Sequence, residues 1–202
     1  MLTQYKTFIQ KYVSLNFIEW NIVKSKFKII HYKKGDVIHK IGNISTKLMF
    51  INSGLARGYT IDENGKDYTF TIYFNDKNSH MTNLFVVDYE SFLTQTPSKL
   101  CIDAIEDCEV VSTSYKDMQF LYSNTKKGDR FGRLMSDEAY VYLHNFIIQR
   151  QTLSAKERFE DFMHSTPHLL DKLPQYHIAT FLGITPQHLS RLKKEYKINI
   201  CE

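Results

Sequence analysis

Gln187, His188, Ser190 and Arg191 fall within five consecutive positions, with Thr185 and Pro186 before them and Lys194 after. On a helix, Leu189 and Leu192 would share one face and leave these residues on the opposite face or its edge. Those side chains are the types that read duplex DNA. A glutamine can take adenine bidentately, an arginine can take guanine O6/N7 or a phosphate, and hydroxyls and lysines meet the backbone. The expected DNA-contacting set is therefore Thr185, Pro186, Gln187, His188, Ser190, Arg191 and Lys194. Gln187 and Arg191 are placed at base edges, Thr185, Ser190 and Lys194 on the phosphates, and His188 on either.

The residues just upstream supply the frame that such a helix needs. Ile178, Ala179 and Leu182 give a short helix an inner face, and Pro174 suits its first turn. Gly183 can take the positive φ that ends it, Ile184 fills the space between the helices, and Thr185 caps the second helix with Pro186 at its first position. A small residue at 179, glycine at 183 and leucine at 189 match the spacing of a helix-turn-helix. An ordinary helical hairpin would account for Gly183 and the leucines, but not for an outer face of Gln, His, Ser and Arg.

Upstream again, Phe131, Met135, Ala139, Tyr142, Phe146, Gln149 and Leu153 recur at steps of 4, 4, 3, 4, 3 and 4, alternating from Met135 onward. That is the seam of a heptad pattern, on a helix of about 24 residues and roughly 36 Å. One long core helix would also explain the pattern; the reading preferred is a homodimer through the 129–153 helix, with a second stripe (Leu134, Val141, Ile148) turned to the rest of the chain. Ser154 and Glu157 then form a capping box, so a new helix begins where the long one ends and stops before Thr166 and Pro167.

Between residues 27 and 115 the period changes to that of strands: β-rich runs at 27–32, 48–51, 55–61, 68–74 and 110–115 are separated by Gly, Asn and Asp. Tyr68, Phe70, Ile72 and Phe74 alternate with Thr69, Thr71 and Tyr73, as on a half-buried strand. Asn64-Gly65 predicts a type I′ hairpin turn. The set reads as an all-β roll or barrel. Residues 2–24 have helical spacing, with a break near Ser14, Leu15 and Asn16.

Composition narrows the function class. The net charge of +4 is small, but residues 1–60 carry ten Lys/Arg against two acids, and Arg191, Lys193, Lys194 and Lys197 form a local basic cluster opposed only by Glu195 and Glu202. No P-loop, Gly-x-Ser-x-Gly or His-Glu-x-x-His motif occurs, so no catalytic residues and no enzyme activity are expected. The three cysteines, Cys101, Cys108 and Cys201, lack Cys-x-x-Cys spacing; Cys101 and Cys108 are expected to be buried in or beside a strand. His164 and His168 have helical spacing, but Pro167 lies between them, and no metal site or cofactor is expected. Without a signal peptide or a long apolar run, the expectation is a cytoplasmic protein with no membrane partner.

In order and spacing these parts resemble the Crp/Fnr family of bacterial transcription regulators over nearly the whole chain. The matching pieces are Tyr32-Lys33-Lys34-Gly35-Asp36-Val37-Ile38, the stretch from Leu48 to Arg57, Glu90-Ser91-Phe92-Leu93, Pro97-Ser98 and Ala104 to Val110, then Ile178-Ala179, Leu182 to Thr185, and Leu189-Ser190-Arg191. The resemblance implies an α+β fold: an N-terminal β-roll (double-stranded β-helix or jelly-roll, cyclic-nucleotide-binding-like), a long dimerisation helix and a C-terminal helix-turn-helix. The expected division is a sensor domain at 1–125, the dimerisation helix at 126–153 and a DNA-binding domain at 154–202. It further implies a homodimer on a pseudo-palindromic duplex operator, with an unknown small-molecule effector.

Two departures bear on ligand and DNA. Cyclic-nucleotide-binding members carry an arginine that pairs with the cyclic phosphate. Here the cassette region holds Asp88, Glu90 and Ser91, then Pro97, Ser98 and Lys99, with a proline about where that arginine stands. A lysine would be a point charge without the bidentate fork, so weak or absent binding of cyclic AMP is expected, and the ligand set around these six residues is left unknown. No N-terminal cysteine cluster of the kind that holds iron–sulfur centres is present. About seven residues follow the recognition helix, so the family's β-hairpin wing is expected to be short or absent. The alternative function is a ligand-sensing roll that acts through a protein partner instead of DNA.

Overall fold

The computed structural model describes residues 2–200. The chain opens with α1 (Thr3–Gln10) and α2 (Phe17–Ser25), broken where expected. Asn16 and Glu19 restart the second helix with a reciprocal capping box, an arrangement whose cap contributes about 1 kcal/mol. Then come β1 (Lys28–Tyr32), β2 (Val37–His39), β3 (Lys47–Ser53), β4 (Ala56–Ile61), β5 (Asp67–Tyr73), α3 (Met81–Leu84), β6 (Phe85–Val86), α4 (Tyr89–Thr94), β7 (Cys101–Ala104) and β8 (Cys108–Ser114). The helical half follows as α5 (Tyr115–Asn124), α6 (Lys126–Thr152), α7 (Ala155–Ser165), α8 (Leu169–Lys172), α9 (Gln175–Leu182) and α10 (Pro186–Ile200).

The strands form two antiparallel four-stranded sheets, ordered β1-β8-β3-β6 and β2-β7-β4-β5. Met49, Ile51, Ile102, Cys108 and Val110 fill the space between them. The next residues along the same strands, Leu48, Phe50 and Val111, point the other way into a layer built with Tyr5, Phe8, Ile9, Phe131 and Met135. Five consecutive residues of β3 are buried because both of its faces are covered. A third apolar layer joins Leu55, Ile72 and Phe74 of the second sheet to Phe159, Leu169, Ile178 and Leu189 of the helical half. The roll is thus sandwiched between its own N-terminal helices and the helix-turn-helix.

Two details of the strands differ from the sequence reading. The β4–β5 connection is a three-residue loop closed by Asp62 and Lys66, with Gly65 at φ 77° and Asn64 outside the positive-φ region. A type I′ turn would need both central residues there; the observed loop places the left-handed residue last. On β5, Gly58 pairs with Thr71 but Tyr59 with Thr69, which leaves Phe70 as an extra, bulged residue. The bulge inverts the alternation. Thr69 is buried on the side of Ile72, while Tyr68 and Phe70 are exposed.

The long helix runs from Lys126 to Thr152, but its faces are the reverse of those expected. Phe131 and Met135 are buried in the chain's own core with Ala139 beside them, Tyr142 packs on His80, and Phe146 packs on Phe181. The heptad seam therefore belongs to this chain's interior. Facing outward are Tyr140, Val141, Leu143, Ile147 and Ile148, which are 71%, 58%, 42%, 54% and 44% exposed. Among the described residues, no helix is long and apolar enough to cross a membrane.

Candidate nucleic-acid interface

Two helices joined by a tight turn form the interface. Gly183 takes φ 70°, a backbone conformation open to glycine without strain, and ends α9. Ala179, Ile178 and Leu189 are fully buried where the helices cross, and Ile184 is half-buried between them. Thr185 accepts the His188 amide at 3.1 Å and caps α10, with Pro186 as its first residue. Pro174 precedes the first turn of α9 as its cap residue instead of lying within it.

Two arginines from other helices hold the far end of α9. Arg150 of α6 donates to the Phe181 carbonyl at 2.7 Å, and Arg158 of α7 donates to the Leu182 carbonyl at 3.1 Å. These are carbonyls that a helix C-terminus leaves without partners. Burial, and then the neighbouring Arg158, pull the Arg150 guanidinium below its usual pKa.

On the outer face of α10, Thr185, Gln187, Ser190, Arg191 and Lys194 are exposed, while Pro186 and His188 are half-exposed at its edge. Leu189 and Leu192 are buried beneath them. The structure thus brings Gln187, Ser190, Arg191 and Lys194 to one face of α10, with Thr185 at its cap and Pro186 and His188 at the edge. Residues 195–200, read from sequence as a short tail, continue α10 as helix and contain no wing strand. The side chain of Lys197, the last of the basic cluster, lies outside the described residues.

The polar contacts that dock α9 onto the roll leave no local pattern in the sequence. Arg57 is buried on β4, bonded to Asp67 at 2.8 Å and to Asp103 at 3.3 Å, with its guanidinium 4.0 Å from the Tyr59 ring centre. Its Nη1 also donates to His177 Nδ1 at 2.6 Å. Burial first, and then the Arg57 charge, hold the His177 pKa below its usual value, so the ring is a neutral acceptor. Alongside, Thr180 bonds Thr69 and the Tyr176 hydroxyl donates to the Asp67 carbonyl. His168 pairs with Asp76 at 3.0 Å. Arg57 and His177 stand 120 positions apart, beyond the reach of any local pattern.

The cassette region is folded in on itself. Asp88 is buried and accepts the Ser98 hydroxyl at 2.6 Å and the Ser91 amide at 3.4 Å. The Ser91 hydroxyl donates to Thr96 O and accepts from Ser45 N. Pro97 makes a lone β-bridge with Ile44. Glu90 and Lys99 pair with each other at the surface, 3.1 Å apart, with their side chains 64% and 78% exposed. Of the six residues singled out, three meet in a buried network and three lie outside it.

Residues 29–125 match the cyclic nucleotide-binding domain family. No curated protein sequence matches the chain. Among solved structures, FixK2 from Bradyrhizobium japonicum superposes with a TM-score of 0.71 at 14% identity, over 86% of this chain and 85% of that one. A protein of Eubacterium rectale described as a transcriptional regulator of the Crp/Fnr family gives 0.67 at 16%, over 92% and 85%. A variant of CooA from Carboxydothermus hydrogenoformans gives 0.62 at 19%, over 87% and 78%. The chain therefore has a roll similar to the cyclic nucleotide-binding domain family and the overall fold of Crp/Fnr regulators, as the sequence motifs implied.

Proposed function

We propose that this chain, built on the Crp/Fnr fold, is a sequence-specific DNA-binding transcription regulator that acts as a homodimer. The observation that carries the proposal is the outer face of α10, where Gln187, Ser190, Arg191 and Lys194 stand exposed over a buried Leu189 and Leu192. In the major groove, Gln187 and Arg191 reach base edges while Thr185, Ser190 and Lys194 meet phosphates; Pro186 and His188 flank them.

The dimer forms through the outward stripe of α6, centred on Tyr140, His144 and Ile147, not through the heptad seam. A contiguous apolar stripe of this kind marks an interaction surface. Pairing two such helices sets two recognition helices about 34 Å apart, one turn of DNA, on a pseudo-palindromic operator. The functional units are then a sensor at 1–125, the pairing helix at 126–153 and a reading head at 154–202. An effector acts by shifting the pairing helices and the spacing of the heads.

Cyclic AMP does not fit the cassette. A phosphate entering there meets the buried Asp88 carboxylate, and Lys99 is turned outward to Glu90. The test is selection of bound duplexes from a random library, with and without cyclic AMP. An inverted repeat that is indifferent to cyclic AMP is expected. A repeat that appears only with cyclic AMP would overturn the cassette argument, and the absence of any motif with a verified dimer would overturn DNA reading.

A further inference from the structure

A cavity of about 410 Å³ lies on the opposite side of the roll from the reading head, between α1, α2, β8, α5 and the start of α6. Its volume falls in the range of small-molecule sites, roughly 300–1,000 Å³. Ile9, Val13, Val23, Met118, Leu121 and Phe131 form its body. Two features interrupt this apolar wall, and they are of different kinds.

On the β8 wall, Thr113 is 4% exposed, and its hydroxyl is buried without a hydrogen-bond partner. A buried hydroxyl left unpaired costs about 1–3 kcal/mol, and an adjoining cavity is where a partner can arrive. At the rim, Lys126 is exposed and Lys127 is paired to Glu19 at 2.7 Å. The first turn of α6 begins at the same rim: Thr125 caps the Gly128 amide, and the two lysine amides precede it. Glu19 lines the same rim and neutralises Lys127, so the helix N-terminus and Lys126 are what favour an anionic group there.

We propose that this cavity binds an amphipathic hydroxy-carboxylate: anionic head at the α6 rim, apolar chain along Ile9 and Leu121, and a polar atom at the inner end for Thr113. Its size suits a chain of about ten carbons. The site is distinct from the cassette at Asp88 and Ser98, and its existence does not depend on the DNA-binding reading. An occupant would rest on one end of α6, whose other end holds α9 through Arg150.

The probes are 10-hydroxydecanoate and decanoate, titrated calorimetrically into the full chain without DNA. Saturable one-to-one binding is expected, with the hydroxy-acid roughly fivefold tighter, as one buried hydrogen bond implies. Thr113→Val, which keeps the shape, should erase that preference. The surface substitution Lys126→Ala should weaken both acids about threefold and leave 1,10-decanediol unaffected. No saturable heat from either acid up to about 1 mM would overturn the site, a concentration that corresponds to only about 4 kcal/mol of binding. So would binding that is unchanged in both variants while thermal melts show them folded, and equal affinities for the two acids would remove Thr113 as the inner anchor.

Discussion

The cassette and the reading face hold similar polar side chains and treat them in opposite ways. In the cassette, Asp88, Ser91 and Ser98 bond one another inside the protein. On α10, Gln187, Ser190 and Arg191 are exposed, with Leu189 and Leu192 buried beneath them. Buried polar groups must be satisfied internally, so a closed network has no donor left for a ligand. Exposed donors on a rigid helix keep theirs. The difference teaches that a polar cluster is read by where its hydrogen bonds go, more than by its composition.

The comparison can be broken most severely by removing the pairing on which two reading faces depend. Ile147→Glu puts a charge at the centre of the outward α6 stripe. We expect monomers by analytical ultracentrifugation and a loss of more than ~100-fold in operator affinity, since central interface residues carry most of the binding energy. Arg191→Ala should cost about 1–3 kcal/mol of DNA affinity and relax selection at one base position, while leaving thermal stability unchanged. Selection and melting curves on the same variant check both halves.

Asp88→Ala should do the reverse. It should destabilise the roll by about 1–3 kcal/mol in urea, because the Ser98 hydroxyl and the Ser91 amide lose their hydrogen-bond acceptor, and leave DNA affinity per folded dimer unchanged. If it instead created cyclic AMP binding without loss of stability, the closed-network view of the cassette would fail.

The smallest effect concerns His177. Its pKa is held down in the fold, so the native state binds fewer protons than the unfolded chain. The docking contribution is therefore complete above the unfolded value of about 6.5 and is lost as pH falls from there through the native pKa. Amide exchange in α9 should rise as pH falls through that window, after correction for intrinsic rates. His177→Gln should flatten the dependence, with His39 contributing a residual slope because burial lowers its pKa too.

The helix-turn-helix was legible because its signals are local: Gly183, Thr185 and Pro186 fix the turn within four positions. The longer strands declared themselves by β-rich runs, whereas β2, β6 and β7 are too short, at three, two and four residues, to show a period. The faces of α6 were misassigned for a different reason. Both sides of that helix carry apolar stripes, and periodicity does not say which stripe meets the chain's own body. The contact of Arg57 with Asp103 and His177 was invisible because its members lie 46 and 120 positions apart.

The bulge at Phe70 sets how this surface can change over time. Thr69 and Ile72 face the reading head together only because one extra residue stands between the two registers. Were Phe70 to pair with Tyr59 in regular register, every local preference would stay intact, yet Thr69 would turn away from Thr180. The berth of the head is thus specified by register at one position. Substitutions along β5 can accumulate gradually, whereas a one-residue slip in pairing would release the head in a single step.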